Sequence, residues 1–139
     1  MKTLSISTPN NAVLFDSCLL HQIHATLARL THLAFRRHCQ RLCLRFTVSQ
    51  TQAIDVTLCQ QKTDDWKIEH ITQWQRLDTS QPSISHWFDF KKHHFQTTDT
   101  SYYSMNSMQH DTRLKDSFER WQSIFLSSPI VDAQLRLLP

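Results

Sequence analysis

The most regular pattern in the sequence is a stripe of apolar residues in its first third. Leu20, Ile23 and Leu27 follow one another at spacings of three and four residues, and Leu30 continues the series. This spacing places the side chains on one face of an α-helix. We therefore predict an amphipathic helix over residues 13–42.

After this helix the apolar positions alternate with polar ones. The alternating apolar residues are Leu44, Phe46, Val48, Ile54, Val56 and Leu58. A period of two is typical of strands with one buried face, and the short polar link between the two runs indicates a β-hairpin. Because the link over residues 49–52 lacks the Asn-Gly chemistry of tight hairpin turns, it leaves the ends of the strands undefined.

The rest of the chain is less regular. Residues 66–77 suit a strand or a helix, and we favour a strand because the hairpin offers a sheet edge. A fourth strand is predicted near residues 86–95, and a loop, expected to be mobile, over the polar residues 96–111. An apolar face predicts a second helix over residues 112–127. The tail, residues 130–139, is apolar enough to dock on the domain.

Together these elements predict one α+β domain over residues 1–139. A small antiparallel sheet of three or four strands is flanked by the N-terminal amphipathic helix and by a C-terminal helix. Each helix is expected to bury its apolar face against the sheet. No internal repeat divides the chain into smaller units.

The composition excludes several classes of protein. The 139 residues include no glycine, so the chain has none of the glycine-dependent phosphate or dinucleotide loops and no nucleophile elbow. With 40% hydrophobic and 19% charged residues, it has enough apolar material for a core and differs from disordered chains. Turns that normally use glycine must be built from other residues.

Positive charge is concentrated in one region. The formal net charge is +3, and no acidic residue lies between Asp16 and Asp55. The arginines that define a basic, mainly helical face in this stretch are Arg36, Arg37, Arg41 and Arg45. Because arginine binds carboxylate and phosphate groups through paired hydrogen bonds, we expect this face to meet an acidic surface or an anion.

Four cysteines and nine histidines raise the question of a metal site. Cys39 and Cys43 are four residues apart beside His38, but the chain has no Cys-x-x-Cys pair and lacks the second ligand pair of a structural zinc site. His21 and His24 lie one helical turn apart without an identified carboxylate partner. We interpret the cysteines as free thiols and predict no metal and no cofactor.

Neither a leader peptide nor a membrane span is predicted. The first residues carry one lysine and no apolar core, and no apolar run reaches about 18 residues. We therefore expect a cytoplasmic protein. Asp64, Asp65 and Glu69 form the strongest acidic cluster, which is typical of a polar turn before a strand. An enzyme is not expected, although the sequence leaves that question open.

Two functions fit these patterns. We predict a small intracellular accessory or adaptor protein that acts through protein–protein contacts, its basic face meeting an acidic partner. The alternative is nucleic-acid binding by the arginine-rich helix and the basic-aromatic segment 86–95. In that segment Lys91 and Lys92 lie among aromatic residues on which bases can stack. The sequence does not indicate the oligomeric state.

Overall fold

The chain folds into two helices and eight strands within the residues that are defined. We use a computed structural model, which describes residues 5–7, 15–31, 41–62, 65–76, 83–90, 94–97, 100–104 and 112–138. The elements are β1 (Ser5–Ser7), α1 (Ser17–Thr31), β2 (Arg41–Thr47), β3 (Gln52–Lys62), β4 (Asp65–Gln75), β5 (Ser83–Asp89), β6 (His94–Thr97), β7 (Thr100–Ser104), α2 (Thr112–Ser127) and β8 (Asp132–Leu137). This confirms the α+β class with an N-terminal and a C-terminal helix.

The strands form one sheet that is larger than predicted. Its order is β7-β6-β5-β4-β3-β2-β8, with antiparallel pairing throughout, and β1 pairs in parallel with the start of β4. Five neighbouring strands of this order, β8, β2, β3, β4 and β5, have at least 6 residues each. The predicted number of three or four strands is therefore wrong.

Strands β7 and β8 lie in segments that the sequence pattern did not mark as strands. The predicted loop over residues 96–111 contains the end of β6 and all of β7, while residues 98–99 and 105–111 lie outside the described part of the chain. The apolar tail docks as predicted, but it does so as strand β8 along the edge of β2. A short polar segment becomes a strand when a neighbouring strand supplies its backbone hydrogen-bond partners.

The first helix is shorter than predicted. α1 ends at Thr31 and residues 32–40 lie outside the described residues, so the predicted end at residue 42 is wrong. Arg41 instead begins β2, where Leu42 and Leu44 already follow the period of two. Arg41 and Arg45 therefore belong to a strand rather than to a helical face.

Both helices pack on the same face of the sheet. The fully or almost fully buried residues of the helices are Leu19, Ile23 and Leu27 of α1 and Phe118, Trp121 and Phe125 of α2. The ring of Phe125 lies 5.6 Å from that of Phe46 on β2, and the ring of Phe118 lies 5.0 Å from that of Phe88 on β5. Neither helix is both long enough and apolar enough to cross a membrane.

The start of α1 is fixed by one aspartate. The side chain of Asp16 accepts a hydrogen bond of 2.7 Å from the backbone N–H of Cys18, which is the arrangement of a helix N-cap. The backbone N–H of Asp16 donates to Gln122 Oε1 at 2.8 Å. The same residue therefore caps α1 and ties its first turn to α2.

Candidate functional site on the open face of the sheet

The face of the sheet opposite the two helices carries charged and aromatic side chains, and no described helix packs on it. We call it the open face. Its members on the three central strands are Arg41, Cys43, Arg45 and Thr47 of β2, Ala53, Asp55, Thr57 and Cys59 of β3, and Lys67, His70, Thr72 and Trp74 of β4. They alternate with the core residues because successive side chains of a strand point to opposite faces.

Asp55 is the centre of a polar cluster on this face. It pairs in register with Arg45, whose Nε and Nη2 donate to the two carboxylate oxygens at 2.7 and 2.8 Å. Trp74 on β4 donates its indole N–H to Asp55 Oδ2 at 2.9 Å. The Asp55 side chain is 11% exposed, whereas that of Arg45 is 42% exposed. The guanidinium group is thus held in one orientation while part of it still faces the solvent.

The titration behaviour of this cluster follows from its burial and charge. The hydrogen bond to Asp55 raises the pKa of Arg45, which stays charged. Burial raises the pKa of the neighbouring Cys43 thiol from 9.0 to about 11, and the charge of Asp55 adds to this, whereas Arg136 and Arg45 lower it. Because the thiolate is the reactive form of cysteine, Cys43 is not a nucleophile at neutral pH.

A groove of about 520 Å³ opens beside this cluster, between the β2–β3 turn and the end of β4. Arg45, Trp74 and Arg76 contribute its charged and aromatic lining, and Thr47 and the turn residues complete it. Arg76 is exposed, and its backbone N–H donates to the carbonyl of Thr51 at 2.8 Å. This bond fixes the end of β4 to the turn, so the two walls of the groove are tied together.

The turn that borders the groove is built without glycine. The backbone N–H groups of Val48 and Ser49 both donate to the carbonyl of Gln52, at 3.1 and 3.2 Å. The Ser49 hydroxyl accepts the backbone N–H of Thr51 at 3.1 Å. Serine side chains can take up backbone groups of a turn in this way. Hydrogen bonding by the serine thus supports a turn of the kind that often carries a glycine.

A second polar cluster lies farther along the open face. A β-bulge in β4 leaves Glu69 without a partner residue on β3, next to His70. Glu69 accepts a hydrogen bond of 2.9 Å from Arg41, and His70 Nε2 lies 3.2 Å from Asp89 Oδ1. The other ring nitrogen of His70 lies 3.9 Å from Glu69. The ring of His70 therefore lies between two carboxylates, with the shorter contact to Asp89.

Of the six residues predicted to bind a partner or an anion, two can be placed. Arg41 and Arg45 both lie on the open face, each hydrogen-bonded to a carboxylate. Arg36, Arg37, Lys91 and Lys92 lie outside the described residues. The structure therefore brings two of the predicted arginines to one surface.

The sequence prediction missed the carboxylates and the groove. Arg45 and Asp55 are each five positions from Gln50, so a hairpin centred on Gln50 would have paired them. No local sequence pattern indicates that Trp74 and Arg76 line the groove, because their positions depend on the register between β3 and β4. That register includes a bulge and cannot be obtained by counting residues.

The predicted absence of a metal stays a prediction. Cys18 lies on α1, on the other side of the sheet from Cys43 and Cys59, and Cys39 is outside the described residues. Among the described residues no group of three or more histidine, cysteine or acidic side chains is arranged to hold a metal ion. Asp64, a member of the acidic cluster of the sequence, is not described either.

Fold and site together define an α+β domain in which two helices cover one side of a large antiparallel sheet and leave the other side open. No protein-family model matches the sequence, and no curated protein matches it. The chain is similar in structure to a hypothetical protein from the VSP-II pathogenicity island of Vibrio cholerae. The similarity has a TM-score of 0.74 at 18% identity and covers 98% of this chain and 100% of that chain.

A second solved structure has the same architecture. It is a conserved hypothetical protein from pathogenicity island VPI-2 of Vibrio cholerae O1 biovar eltor, described as sharing structural homology with the human P32 protein. The TM-score is 0.71 at 17% identity, and the match covers 94% of this chain and 100% of that chain. At these identities the two similarities establish a shared fold.

Proposed function

We propose that this protein is a small accessory protein that binds an acidic segment of a partner protein in the groove on its open face. The observation that carries the proposal is the groove itself, where Arg45, Trp74 and Arg76 lie side by side. Arginine and tryptophan are the residue types most enriched at the energetic centres of protein interfaces. A groove with an aromatic wall and two guanidinium groups suits a peptide that carries carboxylates.

The geometry of Arg45 favours binding. Asp55 holds its guanidinium in one orientation through two hydrogen bonds, so that little side-chain freedom remains to be lost when a ligand arrives. The Asp55 carboxylate already accepts three hydrogen bonds and is largely buried. The charges that a ligand meets in the groove are therefore mainly those of Arg45 and Arg76.

Nucleic-acid binding is the weaker alternative. Outside the groove, Arg41 is matched by Glu69 and Asp89 adds negative charge beside His70, so the excess of positive charge in the groove does not extend over this part of the open face. A phosphate backbone needs cations that exceed the nearby anions in number. Balanced pairs are more typical of a surface that recognises another protein.

The proposal includes a cytoplasmic location. It is supported by the free thiols of Cys18, Cys43 and Cys59, which suit a reducing compartment. We further infer that the protein acts without catalysis. The inference is supported by His70, which lies between carboxylates, and by the thiol of Cys43, which keeps its proton at neutral pH.

The test follows the indole N–H signals of the tryptophans by NMR while a poly-glutamate peptide is added to the full chain. The signal of Trp74, assigned with Trp74→Phe, should shift because its ring lines the groove. The signal of Trp121 should stay in place, because that indole donates to Gln73 Oε1 at 2.6 Å under the helices. Arg76→Glu should weaken binding roughly tenfold, the loss of about one charge-assisted hydrogen bond.

Arg120→Glu is the matched control, since it makes the same charge change at an exposed site on α2. If both reversals weaken binding equally, the peptide recognises net charge and the groove proposal is wrong. A second titration uses a single-stranded oligonucleotide. Tight binding of the oligonucleotide that falls steeply with salt would replace the proposal by the nucleic-acid alternative. A Trp74 signal that responds to neither probe would reject both.

A further inference from the structure

The outer edge of β8 is unpaired in the described part of the chain. β8 ends the strand order and pairs only with β2. An unpaired edge presents backbone donors and acceptors to other chains, and proteins usually block it with a bulge, a proline or lysines. β8 has no register shift along β2, and its sequence DAQLRL contains neither proline nor lysine. No described residue therefore pairs with this edge, and its sequence does not block the addition of another strand.

The backbone hydrogen bonds tell which groups of β8 face outward. The N–H of Leu138 donates to the carbonyl of Arg41 at 3.1 Å, so position 138 is bonded toward β2. Because bonded positions alternate along an antiparallel pair, positions 132, 134 and 136 are also directed toward β2. The N–H and C=O groups of Ala133, Leu135 and Leu137 are then the ones directed to the free edge.

We infer that this edge binds the same edge of a second copy of this chain, so that two sheets join through an antiparallel β8–β8 pair. A two-fold axis at Gln134 brings Ala133 opposite Leu135 of the second copy, and both residues have free-edge donors and acceptors. The same register places Asp132 opposite Arg136. Asp132 and Arg136 lie on the open face and are exposed, so each pairing across the axis joins opposite charges.

The charge pattern selects this register. Two-fold axes at neighbouring positions 133 or 135 leave Asp132 and Arg136 unmatched. An axis between two residues would set core-facing positions opposite open-face positions. In the register centred on Gln134, the facing pairs of positions 132 and 136 are non-hydrogen-bonded pairs, in which side chains come closest. Both ion pairs therefore form in the geometry where they contribute most.

Exposed apolar surface beside the strand supports the same interface. Val131 directly precedes β8 and is 73% exposed, the highest exposure among the large hydrophobic residues described. Its backbone N–H donates to the carbonyl of Thr47 at 2.8 Å, so the alternation of edge-facing groups ends at Ala133 and only the side chain of Val131 can contribute to the interface. Pairing of the two edges would remove Val131 from water, which adds a hydrophobic contribution to the backbone hydrogen bonds.

Sedimentation of the full chain over a range of concentrations tests the interface. The wild-type chain should show a monomer–dimer equilibrium. Arg136→Asp should raise the dissociation constant roughly tenfold, because it turns two attractive cross-strand pairs into two repulsive ones. The double variant Asp132→Arg/Arg136→Asp should restore dimerisation, since it exchanges the charges and keeps their complementarity. Arg120→Asp on α2 makes the same charge change away from the edge and should have no effect.

A cysteine placed on the two-fold axis tests the register directly. Residues that face each other in a non-hydrogen-bonded pair have Cα atoms about 4.5 Å apart, which is within the range of a disulfide. Gln134→Cys, in a chain with Cys18→Ser and Cys39→Ser, should therefore form a disulfide-linked dimer on mild oxidation. Asp132→Cys in the same background should not, because positions 132 of the two copies would be about 14 Å apart along the strands and position 132 faces Thr47 rather than a cysteine on β2.

Three results would overturn the inference. A wild-type chain that remains monomeric at every concentration has no such interface. A dimer that survives Arg136→Asp, with the double variant no tighter than the single one, is built elsewhere. Equal cross-linking at positions 134 and 132 would contradict the register. Far-UV circular dichroism of each variant separates loss of dimer from loss of fold.

Discussion

At the scale of single residues, Asp55 decides the character of the open face. Its carboxylate accepts hydrogen bonds from Arg45 and Trp74 and thereby joins three strands. Its charge also acts on Cys43, which lies on the same face of β2, two positions from the register partner of Asp55. A buried thiol next to a carboxylate has two reasons to keep its proton, its desolvation and the repulsion between thiolate and carboxylate.

The raised pKa of Cys43 predicts a loss of stability in alkali. The folded chain holds this proton more tightly than the unfolded chain, so the stabilisation is complete below pH 9.0 and is lost as the pH rises to about 11. Across that window the free energy of unfolding should fall by roughly 2 kcal/mol more in wild type than in Cys43→Ala. Urea unfolding at several pH values measures both slopes, and equal slopes would show that Cys43 titrates as in the unfolded chain.

At the scale of elements, the apolar pattern of the sequence predicted the helices and strands that bury an apolar face. It did not predict the strands that form by pairing with a neighbouring strand. α2 was predicted over residues 112–127 and lies there, because an apolar stripe must face the sheet. Alternation likewise marks β2 and β3, whereas the pattern of β4 suits a strand or a helix and the neighbouring hairpin edge favours the strand. β7 and β8 were not predicted as strands, because they are formed by pairing with β6 and β2 and their own residues show no clear strand pattern.

The N-cap of α1 should contribute measurably to the stability of the fold. Asp16 accepts the N–H of Cys18 and so satisfies one of the free donors of the first turn. Asp16→Ala should lower the free energy of unfolding by about 1 kcal/mol. Thermal or urea unfolding of the variant measures this. Asp116→Ala removes another exposed carboxylate, from within α2, and should change stability by less than half as much, whereas equal losses would contradict the capping role.

At the candidate site, the sequence pattern likewise indicated the arginines but not the carboxylates that pair with them. Arg41 and Arg45 were singled out because they lie in a stretch without acidic residues, and both are on the open face. Their partners Glu69 and Asp55 lie outside that stretch. A one-dimensional charge pattern therefore overstates how positive the folded surface is. Strand pairing brings carboxylates that are distant in the sequence next to the arginines on the open face.

At the scale of the whole molecule, the two faces of the sheet have separate roles. One face holds a continuous core under α1 and α2, and the other carries the polar clusters and the groove. Trp121 reaches from the helix layer to Gln73 on β4, which ties α2 to the centre of the sheet. With a single core, the helices and the sheet should unfold together, and the open face should be free to vary without loss of the fold.

Phe118 is the residue at which this cooperativity is best tested. Its ring contacts those of Phe15, Phe88 and Trp121, at centroid distances of 5.4, 5.0 and 5.7 Å. Phe118→Ala should lower the free energy of unfolding by about 3–5 kcal/mol, because it opens a cavity where both helices meet the sheet. Ile124→Ala on the same helix, where the side chain is 57% exposed, should cost far less. Tryptophan fluorescence and far-UV circular dichroism should report one shared transition in each variant, since the core that Phe118 fills is common to the helices and the sheet. Separate transitions would mean that α2 and the sheet are stabilised independently.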